Sequence, residues 1–271
     1  MSNTLTSIRP SGFITLSRSS KSLKLLFILI FFNFILSCAS DEKKADTPEA
    51  AFKIAKEYED DESYRIAIQR YTDVKNKFPY SSYATEAELA IANVHFKSEE
   101  YPEAQVSYQN FKELHPKHPK IDYVIFRTGL SYFLQLPETI DRDISLANDA
   151  IYSFNEFIKK FHKSEYLAEA KEYRRKAFAM LNEKELYIAD FYFKQKQYDS
   201  ALLRYVRSYK KYSESEMQPR SLAGAIRCSI KLSDDEKQKA YTDMLLRKFP
   251  DSEEAKEIKR EVLRWKLFHS N

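Results

Sequence analysis

Glycine is scarce in this chain: three glycines stand beside 19 tyrosines and 19 phenylalanines in 271 residues. Sheets joined by tight turns and loops that cradle phosphate both depend on glycine, because it adopts backbone angles that other residues avoid. Neither the nucleotide-binding pattern GxxxxGK[ST] nor the hydrolase pattern GxSxG occurs. Helices packed through aromatic side chains need little glycine, so the composition predicts an all-α protein.

Metal-binding and catalytic patterns are also missing. The chain has two cysteines and no CxxC pair, and its five histidines are scattered. His115 and His118 are three residues apart, but prolines flank them, so we interpret this segment as a solvated loop and expect no metal site. Carboxylate pairs such as Glu99 and Glu100 are interpreted as solvated surface charge. We therefore expect no enzymatic activity.

A long apolar run is absent too. The longest one extends over twelve residues from Leu25 to Leu36, with Asn33 as its polar exception, and four basic residues and no acidic residue precede it. A membrane-spanning helix needs roughly 20 apolar residues. A basic segment followed by a short apolar segment is typical of a signal peptide, so we predict that residues 1–37 are removed.

The apolar run ends in Ile35-Leu36-Ser37-Cys38, which resembles the lipobox of bacterial lipoproteins. The alternative is an ordinary secretory signal in which Cys38 is incidental. The resemblance implies a diacylglycerol on the thiol of Cys38 and an acyl chain on its new amino group, and no other cofactor is expected. Acyl chains hold a protein on a bilayer without a spanning segment. Because Ala39 is not the aspartate that retains lipoproteins in the inner membrane of enteric bacteria, we expect the outer membrane, with the protein facing the periplasm.

The charge of the predicted mature chain is balanced. The removed segment carries four of the 44 basic residues and none of the 40 acidic ones, which leaves 40 of each. A neutral chain gives no support for a nucleic-acid partner. After lipidation Cys228 is the remaining thiol, so the mature fold is expected to be stabilised by packing without an internal disulfide. Residues 38–47 are polar and are interpreted as a tether.

Three segments match the tetratricopeptide repeat (TPR), in which roughly 34 residues form two helices with small and aromatic residues at fixed positions. Small side chains let the two helices approach closely, aromatic rings fill the space around that contact, and a proline ends the second helix. The first two segments follow the pattern residue by residue, with His95 in place of one aromatic residue. They contain Ala55, Tyr58, Ala67, Tyr71 and Pro79 in the first, and Ala92, His95, Ala104, Tyr108, Phe111 and Pro116 in the second.

The rest of the chain continues this pattern with variations. The third segment has Gly129 in its first helix and Ala150 in its second, separated by an insertion at 137–145. A fourth contains Ala189 and Ala201 after a long helical stretch at 165–182, a fifth at 219–250 is degenerate, and a final helix at about 252–268 caps the array. Because each helix pair leaves an apolar face uncovered, neighbouring pairs must stack. The prediction is a TPR solenoid of about five helix pairs plus a carboxyl-terminal helix.

The order of these features resembles the BamD family, the TPR lipoproteins of the outer-membrane β-barrel assembly (BAM) complex. Shared features are the lipobox, the tether, five repeats, the segment Lys-Phe-Pro-Tyr-Ser-Ser-Tyr at 77–83 and the insertion with Asp141-Arg142-Asp143. The resemblance implies a non-catalytic subunit. Repeats 1–3, at 48–161, would receive unfolded outer-membrane proteins, while repeats 4–5 and the capping helix, at 162–271, would bind BamA beside other BAM subunits.

A second function remains open at this point. A periplasmic TPR lipoprotein of a peptidoglycan or cell-division complex would have the same repeats, because one fold serves many partners. Such a protein is expected to carry a coiled-coil trimerisation segment, and none is recognisable in the sequence. Affinity capture with BamA separates the two functions.

The repeat pattern also predicts a peptide-binding groove, because the first helices of TPR pairs line one face of the array. Lys56 or Lys97 would attract the carboxylate of a peptide that ends in an aromatic residue. The alternative is that this aromatic stripe is buried core. The insertion at Asp141-Arg142-Asp143 either staples its own loop or contacts a partner. The predicted groove residues are Phe52, Lys56, Leu89, Asn93, Phe96, Lys97, Tyr123, Phe126, Leu130 and Phe133.

Overall fold

The computed structural model describes residues 45–269, with side chains described as far as Val262. The predicted signal peptide at 1–37, Cys38 and the tether up to Lys44 lie outside the described residues. The described end of the tether contacts the first repeat, because the ammonium group of Lys77 donates to the carbonyl oxygen of Ala45 at 2.8 Å. Thr47 caps the first helix and accepts a hydrogen bond from the backbone N–H of Ala50 at 3.2 Å.

Eleven α-helices make up the regular structure of the described residues. They are α1 (Pro48–Asp60), α2 (Tyr64–Lys77), α3 (Ser82–Lys97), α4 (Tyr101–Leu114), α5 (Ile121–Leu134), α6 (Leu146–Lys160), α7 (Leu167–Lys194), α8 (Tyr198–Lys211), α9 (Gln218–Lys231), α10 (Asp235–Lys248) and α11 (Glu253–His269). Within residues 45–269, none of the helices is both long enough and apolar enough to cross a membrane.

Each helix packs against the next one, and some first helices of successive pairs also touch: α1 touches α3, α5 touches α7 and α7 touches α9. The helices therefore form five stacked pairs, α1–α2 to α9–α10, followed by α11. This arrangement confirms the predicted all-α TPR solenoid with a carboxyl-terminal helix. The long helical stretch predicted before the fourth repeat and the first helix of that repeat form one helix, the 28-residue α7.

Small residues lie at the contacts between helices, as the repeat pattern predicts. Glycine has the same role at two positions. A Cβ atom on Gly129 would lie 2.8 Å from the ring of Phe154, and one on Gly224 would collide with the ring of Tyr205. These glycines serve close packing rather than turns. The fully buried alanines at the repeat positions are Ala55, Ala67, Ala92, Ala104, Ala150, Ala189 and Ala201.

The turns inside four of the pairs share one geometry. Glu62, Glu99, Lys196 and Ser233 each follow a first helix and have φ between 54° and 61°. The backbone N–H of the following residue donates a hydrogen bond to the carbonyl oxygen five residues earlier. In the first pair, Ser63 N donates to the carbonyl of Tyr58 at 2.8 Å. This is the left-handed helix end that usually favours glycine. In the third pair the insertion at 137–145 joins α5 to α6 instead.

The core is a series of clusters along the array, and each cluster joins neighbouring pairs. Tyr71 and Val94 belong to the first cluster, in α1–α3, while Leu186 and Cys228 belong to one in α7–α9. Burial raises the pKa of the Cys228 thiol to about 12, so this cysteine is a packing residue. The array is thus stabilised by contacts between neighbours.

Candidate functional site

The first helices of repeats 1–3, together with the start of α7, form one surface that we call the A-helix face. It contains the ten predicted groove residues, but three of them are buried: Leu89, Phe126 and Leu130 are 2%, 2% and 5% exposed. The prediction that these three line an open groove is wrong, and they belong to the core. Tyr166, just before α7, covers Phe126, since the two rings stack with their centres 5.1 Å apart.

The other seven predicted residues are partly or fully exposed. Phe52 and Phe133 lie at the edges of the core, where Phe52 contacts Tyr71 at 5.1 Å between ring centres and Phe133 contacts Tyr173 at 5.0 Å. Their exposed edges remain available to a ligand. Peptide binding by this set stays a prediction.

Lys56 and Lys97 are held by a buried carboxylate between repeats 1 and 2. Glu59 is 6% exposed and accepts hydrogen bonds from the hydroxyl of Tyr71 at 2.6 Å and the ammonium of Lys97 at 2.5 Å. Lys56 lies 3.4 Å from the same carboxylate and 2.9 Å from Asp60. Burial opposes ionisation of Glu59, but these bonds lower its pKa overall. Both lysines are therefore already paired, contrary to the expectation that they attract a peptide carboxylate.

A second polar group lies between repeats 2 and 3. The hydroxyls of Tyr108 and Tyr123 both donate to Oδ1 of Asn93, at 2.7 and 2.9 Å. Burial raises the pKa of Tyr108, so its hydroxyl keeps the proton that it donates. Both tyrosine hydroxyls therefore bind the oxygen of the Asn93 amide. Neither of them accepts a hydrogen bond from the N–H groups of that amide.

Arg127 is the residue of this face that the sequence reasoning missed. Its guanidinium carbon lies 4.4 Å from the ring centre of Phe96 and 5.1 Å from that of Tyr123. Such stacking holds a cation over two aromatic faces. Position 127 is outside the repeat positions expected to face a ligand, and the long arginine side chain reaches the face from there.

Next to the Asn93 group lies an open pocket of about 450 Å³. The helix start at Lys120 and Asp122 forms one side, and the segment before α7 forms the other. Two of the lining residues, Asn93 and Tyr123, are partly exposed groove residues, whereas Leu89 is a core residue that borders the pocket. The complete lining is Leu89, Asn93, Pro119, Lys120, Asp122, Tyr123, Glu165 and Tyr166.

The insertion in the third pair contacts α7 through the backbone of Arg142, and Asp143 forms hydrogen bonds within the insertion. Asp143 accepts hydrogen bonds from the backbone N–H and the hydroxyl of Ser145, at 2.9 and 3.1 Å, and these bonds lower its pKa. Lys184 of α7 donates to the carbonyl oxygen of Arg142 at 2.5 Å. Asp141 is exposed, and a hydrogen bond with Thr139 lowers its pKa. The side chain of Arg142 is exposed to solvent, so both roles predicted for the insertion stay open.

The two histidines of the proline-flanked turn pair with carboxylates of α3. His115 lies 2.6 Å from Glu88, and His118 lies 3.4 Å from Glu86. These contacts fasten the turn between α4 and α5 to the preceding repeat. The described residues contain no cluster of three or more side chains suited to a metal ion.

A second exposed surface lies on α8, in repeat 4. Leu203 is 69% exposed and, with Val206 and the charged residues beside it, borders an open apolar depression of about 490 Å³. These residues share one side of the helix because they are spaced by three or four positions. We call them the α8 stripe: Leu203, Val206, Arg207, Lys210 and Lys211.

The chain is similar to a known protein family over most of its length. A family model described as YfiO, outer membrane lipoprotein, matches residues 44–245. The chain belongs to this family of outer membrane lipoproteins. The matched segment contains both the A-helix face and the α8 stripe, whereas Cys38 precedes it.

Curated relatives of the chain carry the name outer membrane protein assembly factor BamD, which confirms the resemblance seen in the sequence. The protein of Neisseria gonorrhoeae is 28% identical over 170 residues, which cover 59% of this chain and 64% of the relative. The protein of Rickettsia prowazekii is 25% identical over 238 residues, 86% of this chain and 94% of the relative. The chain thus spans just under two thirds of the Neisseria relative. Among solved structures, the TPR2AB domain of yeast Sti1 in its pHSP90 complex is 13% identical, with a TM-score of 0.40, over 81% of this chain and 83% of that one.

Proposed function

We propose that this protein is a non-catalytic lipoprotein subunit of the outer-membrane β-barrel assembly complex. It would be held at the outer membrane by lipid on Cys38 and face the periplasm. Membership of the outer membrane lipoprotein family and the BamD names of its relatives support this role. In this proposal the protein receives unfolded outer-membrane proteins on one surface and binds BamA on another.

The client surface proposed is the A-helix face, and its mixed chemistry is the observation that carries the proposal. Partly exposed aromatic rings, such as Phe96 and Tyr123, lie beside the pocket of about 450 Å³. Strands of outer-membrane barrels alternate apolar and polar side chains, and in an unfolded client their backbone N–H and C=O groups lack the partners of the barrel. A face with apolar rings and unused polar groups suits such a segment, whereas a purely apolar groove would not satisfy its backbone.

The BamA surface proposed is the α8 stripe. The exposed Leu203 and the partly exposed Val206 supply apolar contact area, and Arg207, Lys210 and Lys211 supply positive charge around it. An apolar centre with a charged rim is the usual composition of a protein interface. The charge favours an acidic surface on the partner.

A matched pair of substitutions tests this assignment. Leu203→Glu places a carboxylate in the apolar centre of the stripe and is expected to reduce capture of BamA at least about tenfold, because the charge loses its water on binding and repels an acidic partner surface. Val106→Glu is the control, since Val106 is two residues after Ala104 on α4 as Leu203 is two residues after Ala201 on α8, and it is also exposed. Equal capture of BamA by both variants would show that BamA docks elsewhere.

A further inference from the structure

Arg127 differs from Lys56 and Lys97, the two basic residues of the predicted groove, because it has no anionic partner. Lys56 and Lys97 both lie against Glu59, at 3.4 and 2.5 Å. In contrast, no carboxylate of the residues described here lies within 4 Å of the Arg127 guanidinium. A cation kept beside two aromatic rings without a counter-charge is available for a ligand.

The way in which Arg127 is held shows which of its atoms a ligand can reach. The rings of Phe96 and Tyr123 lie 4.4 and 5.1 Å from the guanidinium carbon. The Nε atom is buried and has no hydrogen-bond acceptor, although the side chain as a whole is partly exposed. Unsatisfied buried donors are rare in folded proteins. The terminal nitrogens are therefore the accessible donors, on a group whose plane the rings fix in advance.

The carboxylates of the adjoining pocket, Asp122 and Glu165, form no ion pair with Arg127 in the described part of the chain. Tyr123, whose hydroxyl donates to Asn93, has its ring centre 5.1 Å from the guanidinium carbon of Arg127, which places the guanidinium close to the Asn93 group. Asp122, a carboxylate of the adjoining pocket, is engaged by the hydroxyl of Ser164 at 2.7 Å and by the backbone N–H of Tyr123 at 2.8 Å. The terminal nitrogens of Arg127 are therefore donors that no described carboxylate occupies.

We propose that Arg127 determines specificity on the A-helix face by binding a carboxylate of the client segment. The inference rests on the proposed function, because it assumes that the client lies on this face. A planar guanidinium binds a carboxylate through two parallel hydrogen bonds, which fixes the direction of the ligand as well as its charge. The carboxylate comes either from the free carboxyl terminus of the client or from an aspartate or glutamate side chain.

The test uses peptide titrations on the full chain with a matched set of peptides and variants. One peptide ends in phenylalanine with a free carboxylate and contains one glutamate; a second is its carboxyl-terminal amide, and a third has glutamine in place of glutamate. Arg127→Met removes the charge and keeps an apolar side chain over Phe96. Lys159→Met is the control, because Lys159 is an exposed lysine on α6 and lies outside the A-helix face.

We expect one of the two peptide changes to weaken binding to the unaltered protein roughly tenfold, in keeping with the strength of a charge-assisted bond. That loss should shrink to less than about twofold in Arg127→Met and persist in Lys159→Met. Amide sensitivity identifies the carboxyl terminus as the source, and glutamine sensitivity identifies the side chain. Arg127→Lys should keep part of the effect, since it retains charge without the planar fork.

Each of the other outcomes contradicts either the role of Arg127 or the proposed client surface. If the unaltered protein binds the peptides but neither change matters, or if the loss persists in Arg127→Met, the role of Arg127 is wrong while client binding stands. If no peptide binds the unaltered protein, the proposed client surface fails together with the inference. Thermal unfolding of each variant shows whether the fold is intact, and the amide and glutamine comparisons on the unaltered protein need no variant.

Discussion

Four residues with left-handed backbone conformation end the first helices of repeats 1, 2, 4 and 5. At Glu62, Glu99, Lys196 and Ser233 the chain adopts positive φ, which crowds Cβ against the backbone in every residue except glycine. The usual helix end of this geometry carries glycine. The chain instead has two glycines after residue 38, and both lie at helix contacts.

This strain can be relieved by substitution at residue scale. Glu62→Gly should stabilise the protein by about 0.5–1 kcal/mol, since relief of the Cβ contact exceeds the extra backbone entropy of glycine in the unfolded chain. Ser233→Gly is expected to act in the same direction. Urea unfolding followed by circular dichroism measures the change.

Two controls accompany Glu62→Gly. Glu62→Ala keeps the Cβ atom and should give no comparable gain. Lys53→Gly, at an exposed position inside α1, should cost about 1 kcal/mol, because glycine weakens a helix interior. A loss of stability in Glu62→Gly would show that the side chain of Glu62 contributes more than the strained backbone costs.

At the scale of helices, the sequence predicted the pairs well because their contacts follow from residue size. A small residue at the crossing of two helices must be buried, so Ala55 and Ala104 could be placed from spacing alone. The burial of Phe126 depends on Tyr166, 40 residues later in the chain, because the ring of Tyr166 covers it. Periodicity within a repeat carries no information about such a neighbour, and for the same reason the pairing of Lys97 with Glu59 and the exposure of Arg127 were missed.

Glu59 joins three helices, because its carboxylate on α1 binds Tyr71 of α2 and Lys97 of α3. Glu59→Gln should therefore destabilise the protein at pH 7 by roughly 1–3 kcal/mol, the range for hydrogen bonds to a charged group. The folded pKa of Glu59 lies below the ordinary value of 4.5. A group with a lowered pKa contributes stability above its unfolded pKa, and this contribution is lost as the pH falls through the folded pKa.

The difference in stability between the unaltered protein and Glu59→Gln should thus be largest near neutral pH and shrink below about pH 4.5. Thermal unfolding measured from pH 3 to pH 7 gives both curves. Glu113→Gln, an exposed carboxylate on α4, is the control and should follow the unaltered protein. A difference that stays constant over this range would mean that the amide loses packing rather than a charged contact.

At the scale of the whole molecule, the described array carries its two proposed binding surfaces on different repeats. The A-helix face belongs to repeats 1–3 and the start of α7, and the α8 stripe belongs to repeat 4. Core clusters join neighbouring pairs, so a change in one repeat acts mainly on the repeats beside it. Substitutions at Arg127 and at Leu203 should therefore affect client binding and BamA capture separately.

In the proposed function, the protein is attached to the membrane through the sulfur atom of Cys38, which precedes the helical array in the sequence. If the thiol of Cys38 accepts the diacylglycerol, Cys38→Ser should leave the protein without lipid and with its signal peptide uncut, because cleavage follows lipidation in lipoproteins. The acyl chains would otherwise supply about 0.8 kcal/mol of membrane affinity for each buried methylene. Labelling with a radioactive fatty acid, together with the mass of the product, measures both effects. Cys228→Ser is the control, since this buried thiol lies in α9 and should not affect labelling. Equal label in Cys38→Ser and in the unaltered protein would refute lipid attachment at Cys38.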